Sequence, residues 1–134
     1  MEPISAAASV FGAIGFIGTV AAAASSFMRD FRSARKEIVA IKKELASLRA
    51  VLEILAEDFD DPANTSLHES VHERIVDAAT NCSRVLHEID DCIRGLHGSR
   101  ISWVNSGKEE ICNLQRKLEA EKSALSVTLD YVSV

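Results

Sequence analysis

Residues 3–28 read PISAAASVFGAIGFIGTVAAAASSFM and contain no charged side chain. Alanine dominates the stretch and proline occupies only its first position, which favours one continuous helix. A helix of this length reaches roughly 39 Å, more than the roughly 30 Å hydrocarbon core of a bilayer. The stretch follows Glu2 and has no positively charged segment before it, so it lacks the pattern of a secretory signal peptide. The sequence therefore predicts a first helix that is long and apolar enough to cross a membrane.

Small side chains recur along this helix at steps of three and four, so they share one face. Such a face lets two helix backbones approach closely, as transmembrane helices do. The residues predicted to serve membrane insertion or self-association are Ala8, Gly12, Gly15, Gly18, Thr19 and Ala22. The alternative is that the Gly/Ala face fits a neighbouring helix inside a soluble bundle. The bulky residues favour insertion by only about 2 to 5 kcal/mol, which suits a helix that is packed in solution and inserts when released.

Three further segments carry apolar residues at helical spacing. We predict a second helix over residues 30–59, a third over 66–97 and a fourth over 100–132, with a short extra helix or a kink near residues 99–107. The apolar row of the second helix consists of Phe31, Ala34, Ile38, Ile41, Leu45, Leu48, Leu52, Leu55 and Phe59. Short connections between long helices are typical of an antiparallel four-helix bundle. The expected fold is all-α, with residues 1–134 forming a single domain.

Charge is distributed unevenly along the chain. The formal net charge of −5 argues against nucleic acid as a partner. Residues 29–43 are the exception, with six basic side chains and only two acidic ones. A basic segment beside a membrane helix is attracted to an anionic leaflet, so the predicted lipid headgroup contacts are Arg29, Arg32, Arg35 and Lys36. The alternative is a solvated helix face with Glu37 and Glu44 nearby.

Catalytic chemistry has one candidate motif. Residues 68–72 read HESVH and match the His-Glu-x-x-His pattern of zinc proteases, which places both histidines on one helix face with Glu69 as the general base. No third ligand follows at a recognised spacing, and no strand is predicted that would align a peptide. No nucleophile, base and orienting group occur together elsewhere. We therefore expect no metal, no cofactor and no enzyme activity.

Several segments, taken in order and spacing, resemble the fungal HeLo-like N-terminal domain of STAND (NOD-like receptor) proteins. The resemblance covers nearly the whole chain and includes the apolar first helix. It is carried by residues 1–5 (MEPIS), 27–31 (FMRDF), 47–52 (SLRAVL), 102–103 (SW), 109–118 (EEICNLQRKL) and 122–125 (KSAL). No phosphate-binding Gly-x-x-x-x-Gly-Lys-Ser/Thr loop of the kind found in the nucleotide-binding part of such receptors occurs in these 134 residues.

The resemblance implies an N-terminal effector of innate immunity, heterokaryon incompatibility and programmed cell death. Domains of this kind are held to act by membrane association once they are clustered. The expected partners are other copies of the chain, anionic membrane lipids and helical domains of other signalling proteins. The expected location is the cytoplasm, with translocation to the plasma membrane on activation. The alternative is an adaptor that binds partner helices without entering the membrane.

Overall fold

The computed structural model describes residues 4–60, 69–96 and 103–133, and these residues are almost entirely helical. Within these ranges there is no strand, and the predicted all-α four-helix bundle is confirmed. The helices are α1 (Ile4–Asp30), α2 (Arg35–Asp60), α3 (Glu69–Leu96) and α4 (Lys108–Ser133). A 3₁₀ turn, Arg32–Ala34, joins α1 to α2, and a π turn, Trp103–Gly107, leads into α4.

The junction between α1 and α2 differs from the prediction. The second helix was expected to begin at residue 30, but Asp30 is the last residue of α1 and α2 begins only at Arg35. The break lies at Phe31, whose φ of −129° and ψ of 84° are not helical. Its N–H still donates to the Phe27 carbonyl at 2.9 Å, and its own carbonyl accepts from the Ala34 N–H at 3.0 Å. No glycine or proline marks this turn in the sequence.

The first, second and fourth helices end at residues 30, 60 and 133, within two residues of the predicted ends at 28, 59 and 132. The start predicted at residue 3 and the end predicted at residue 97 lie outside the described residues. The irregularity expected near residues 99–107 is the π turn Trp103–Gly107, and regular α-helix begins only at Lys108. The starts predicted at residues 66 and 100 lie outside the described residues.

Each helix packs mainly against two others. α1 contacts α2 and α3, and α4 contacts α2 and α3, while the diagonal pairs have few contacts. α1 and α3 run parallel, because Phe16 meets His87 and, further along both helices, Ala23 and Ile93 line one groove. Helices that follow one another in the chain run antiparallel, as predicted. The α1–α2 pair and the α3–α4 pair therefore form opposite sides of the bundle.

The apolar rows meet in one continuous core. Every member of the predicted α2 row whose side chain is described is at most 5% exposed, from Phe31 to Leu55. At one end the core is closed by three aromatic rings. The Phe27 ring lies 4.7 Å from that of Phe31 and 5.7 Å from that of Trp103, measured between centroids. This aromatic cluster joins the end of α1, the 3₁₀ turn and the π turn before α4.

Trp103→Ala should lower the free energy of unfolding by roughly 3 to 5 kcal/mol, since it removes a ring that is 3% exposed and leaves a cavity. Urea unfolding followed by circular dichroism measures the change. Val104→Ala is the control, because Val104 is 76% exposed and its loss should stay within about 0.5 kcal/mol. Equal losses for the two variants would show that the indole does not support the core.

Candidate membrane and self-association surface

The bulky side chains of α1 face the bundle. Val10, Ile17, Val20 and Phe27 are each at most 2% exposed and contribute directly to the core. Phe11 is the exception, at 49% exposed. Bundle packing therefore covers one side of an otherwise uncharged helix.

The predicted self-association residues of α1 face solvent. All six predicted self-association residues are exposed: Ala8, Gly12, Gly15, Gly18, Thr19 and Ala22. A Cβ atom built on Gly12, Gly15 or Gly18 would meet no heavy atom within 4 Å. The alternative in which this Gly/Ala face fits a neighbouring helix of the bundle is therefore wrong. The face is available to a partner outside the bundle.

The length and composition of α1 are those of a membrane-crossing helix. Among the described residues one helix meets both criteria, over Ala6–Asp30. Central helices of soluble proteins meet them too, but such helices are mostly buried. Only 28% of the apolar window of α1 is buried in the bundle. Packing against α2 and α3 therefore buries only a minor part of the apolar segment of α1.

Basic side chains surround the end of α1 and the start of α2. Arg29, Arg32, Arg35 and Lys36 are all exposed, as the lipid-contact prediction requires. They line two adjoining shallow clefts that share Arg32 and Arg35, and Lys43 extends the second cleft along α2. None of these five cations forms an ion pair with the part of the chain that the structure describes. We call these five residues the basic patch.

Two neighbouring carboxylates on α2, those of Glu37 and Glu44, point away from the basic patch. Glu37 lies 3.5 Å from the Lys108 amine, and Glu44 lies 3.0 Å from the Lys122 amine, both across the α2–α4 contact. The two glutamate side chains are only 11% and 16% exposed. Their charges are therefore balanced by α4, and the patch keeps its positive charge.

A buried carboxylate lies between α1 and α3. Asp90 is 9% exposed and belongs to the row of α3 that includes His87, which contacts Phe16 of α1. Its Oδ2 accepts a hydrogen bond from Arg94 Nε at 2.9 Å, whereas its Oδ1 is buried without a hydrogen-bond partner. An unsatisfied buried oxygen of this kind weakens the packing that covers it.

Sequence reasoning missed the burial of Asp90, although a signal was present. The residue lies four positions after Leu86 and three before Ile93, and both of these apolar side chains are in the core. Helical spacing alone therefore places Asp90 on the buried side of α3.

Comparison with protein families agrees with this architecture. The model of the family described as pigment biosynthesis cluster protein PigL N-terminal matches residues 1–134. The chain belongs to this family. It is a HeLo-like family of fungal N-terminal domains, which confirms the resemblance at the level of the domain. No curated protein and no solved structure gives a match.

The thiols of Cys82 and Cys92 are both buried on α3. Burial raises the pKa of the Cys82 thiol to about 12, with a smaller contribution from the charge of Glu121. Burial and then Glu110 raise the pKa of Cys92 to about 12 as well. Both thiols therefore stay protonated at neutral pH and are poor nucleophiles.

The His-Glu-x-x-His pattern at residues 68–72 is only partly described by the structure. His68 lies outside the described residues, and His72 lies on α3 with its side chain partly buried. No group of three or more metal-binding side chains occurs in residues 4–60, 69–96 and 103–133. The expectation that the domain binds no metal stays a prediction.

Gly12→Ala and Gly15→Ala should each raise the free energy of unfolding by about 0.5 to 1 kcal/mol, because alanine stabilises an exposed helix and meets no neighbour here. Ala13→Leu is the contrast, since Ala13 is fully buried and the added bulk should cost about 1 to 3 kcal/mol. Urea titration of the three variants measures the changes. A loss of stability at either glycine would place this face in contact with another part of the domain.

Proposed function

We propose that the domain is the N-terminal signalling and cell-death effector of a fungal NOD-like receptor. It acts by self-association and by conditional insertion of α1 into an anionic membrane. The observation that carries this proposal is the orientation of α1, a membrane-length helix that keeps its bulky row in the bundle and its small row in solvent. Clustering of receptors raises the local concentration of the domain and shifts α1 from the bundle to the membrane.

Insertion exchanges one apolar environment for another. The bulky row of α1 leaves the bundle core and enters the acyl chains, which favour it by about 2 to 5 kcal/mol before the polar residues offset part of the gain. The small row then packs against the same row of another α1, with close backbone contact through Gly12 and Gly15. Because the free-energy gain on insertion is small, a rise in local concentration on clustering is enough to change which state is populated.

The basic patch supports the membrane step. It lies at the C-terminal end of α1, where the cations remain at the cytoplasmic interface once the helix is inserted. Each basic residue near an anionic surface contributes about 1 kcal/mol of attraction. Glu37 and Glu44 do not oppose this attraction, because their charges are balanced by α4.

The contact between α1 and α3 favours release. Asp90 is buried on the side of α3 whose residues His87 and Ile93 face α1, and one of its oxygens has no hydrogen-bond partner there. When α1 leaves, water solvates the carboxylate, so part of the cost of opening the bundle is recovered. Burial of Asp90 therefore lowers the free-energy cost of releasing α1 from the bundle, and it does not affect the inserted state of α1.

An adaptor is the second candidate, and the exposure of the small row favours it. Because Gly12, Gly15 and Gly18 already face solvent, a partner helix can dock on α1 without release from the bundle. Binding to a partner would then proceed equally well without lipid. Permeabilisation of vesicles separates the two candidates, because an adaptor leaves them intact.

Asp90→Asn should raise the free energy of unfolding by on the order of 1 kcal/mol and slow dye leakage from phosphatidylserine vesicles, because it removes a poorly paired buried charge. Asp77→Asn is the matched control: its side chain lies exposed on the same helix, and both quantities should stay unchanged. Urea unfolding and leakage are measured on the same preparations. A less stable Asp90→Asn variant would mean that the bond to Arg94 holds the bundle closed.

Gly12→Leu with Gly15→Leu should preserve the fold and vesicle binding but reduce leakage severalfold, since branched side chains prevent close approach of two α1 helices. Ala120→Leu with Ala124→Leu, on the exposed face of α4, is the control for added surface bulk and should leak like the native domain. Leakage and lipid cosedimentation are compared for folded protein. Native leakage by the double glycine variant would rule out assembly through the small row.

A further inference from the structure

A groove on the α3–α4 side of the bundle has a composition opposite to that of the basic patch. Gly95, Leu96 and Leu114 contribute its apolar part, and Glu88, Asp91 and Glu110 supply its carboxylates. We call it the α3–α4 groove.

One of these three carboxylates is already balanced within the domain. Glu88 lies 3.4 Å from the Lys117 amine. Asp91 and Glu110 are exposed, and neither forms an ion pair with another residue of the described chain. Two negative charges of the α3–α4 groove are therefore available to an external cation.

The basic patch and the α3–α4 groove face different directions. The patch lies on the α1–α2 junction and on the outer side of α2, because α2 directs Glu37 and Glu44 towards α4 and its apolar row inwards. α2 and α3 occupy diagonal positions in the bundle. No cation of the patch pairs with a carboxylate of the groove among the described residues, and both surfaces lie in the half of the bundle that contains the α1–α2 turn.

We propose that the basic patch of one copy docks in the α3–α4 groove of a second copy. Arg32 and Arg35 meet Asp91 and Glu110, and the apolar parts of the two clefts, which include Val39 and Leu96, cover each other. The contact joins two different surfaces, so each added copy presents a free patch and a free groove. Such heterologous contacts give rings or open chains rather than a closed dimer.

The contact is weak between isolated domains. Exposed ion pairs contribute only about 0 to 1 kcal/mol each and are screened by salt. Domains held side by side by a larger protein experience effective concentrations in the millimolar range, at which such a contact is populated. This inference rests on the proposed function, because it names the surfaces through which clustered domains associate before α1 inserts.

The same cations serve the membrane and the second copy. Arg32 and Arg35 cannot engage a carboxylate and a lipid headgroup fully at once, so an anionic bilayer competes with docking. Docking therefore aligns neighbouring domains before they reach the membrane. At the bilayer, lipid headgroups then displace the groove from the basic patch, and α1 inserts.

Charge reversal tests the contact without lipid. At low salt and several hundred micromolar protein, the native domain should sediment faster as its concentration rises, and added salt should abolish the effect. Arg32→Glu with Arg35→Glu should remain monomeric, and so should Asp91→Lys with Glu110→Lys. A mixture of the two variants should associate again, because each supplies the charge that the other lacks. Arg49→Glu with Arg84→Glu lowers the net charge by as much as Arg32→Glu with Arg35→Glu, at residues that line neither the patch nor the groove, and should associate like the native domain.

A native domain that stays monomeric at low salt would overturn the docking proposal, as would folded variants whose mixture fails to associate. Neither result touches membrane insertion, which is measured separately as dye leakage from phosphatidylserine vesicles by the native domain. Association without leakage would instead contradict the proposed function and leave the docking surfaces in place.

Discussion

The structure depends on the packing of α1, a helix of 27 residues that carries no charge before Arg29 and buries only one of its faces in the bundle. Burial of Val10, Ile17, Val20 and Phe27 against the other helices holds α1 in the bundle. The aromatic cluster fixes its C-terminal end, where Phe27 stacks on Phe31 and meets Trp103. The opposite face makes no use of the bundle. α1 is therefore packed in the bundle, although its length and apolar composition are those of a membrane-crossing helix.

Ion pairs with α4 give the two sides of α2 different charges. Its glutamates at positions 37 and 44 face α4 and are balanced by lysines there, while its cations face outwards. A helix with nearly balanced charge in sequence thus presents a positive surface in the fold. Asp90 is the opposite case, since an apparently ordinary surface aspartate is buried where α3 meets α1. In both cases, contact with a neighbouring helix determines whether the charge is paired, exposed or buried.

Much of the architecture could be predicted from spacing alone. The apolar row from Phe31 to Leu55 identifies α2 and its buried side, and the irregularity before α4 was expected within a few residues. The inward side of α1 could not be derived, because both of its faces are uncharged and only the size of the side chains differs. The helix break at Phe31 has no glycine or proline to reveal it.

The candidate surface was predictable in part. The small row and the basic residues were named from the sequence, and the structure places all ten in solvent. Their isolation from the nearby glutamates depends on Lys108 and Lys122, which lie 71 and 78 residues away from their partners in the chain. Local sequence holds no information about contacts at that separation. The burial of Asp90 also depends on α1, although its helical position indicated an inward direction.

The central claim is that α1 must leave α3 before the membrane is breached. Phe16 and His87 are in ring contact at 4.2 Å between centroids, so cysteines at these positions allow the two helices to be joined. In a domain whose native cysteines are replaced by alanine, Phe16→Cys with His87→Cys is cross-linked by a short bis-maleimide that contains a reducible bond. If release of α1 from α3 is required, the cross-linked domain should bind anionic vesicles without leakage, and reduction should restore leakage. Equal leakage before and after reduction would contradict this requirement.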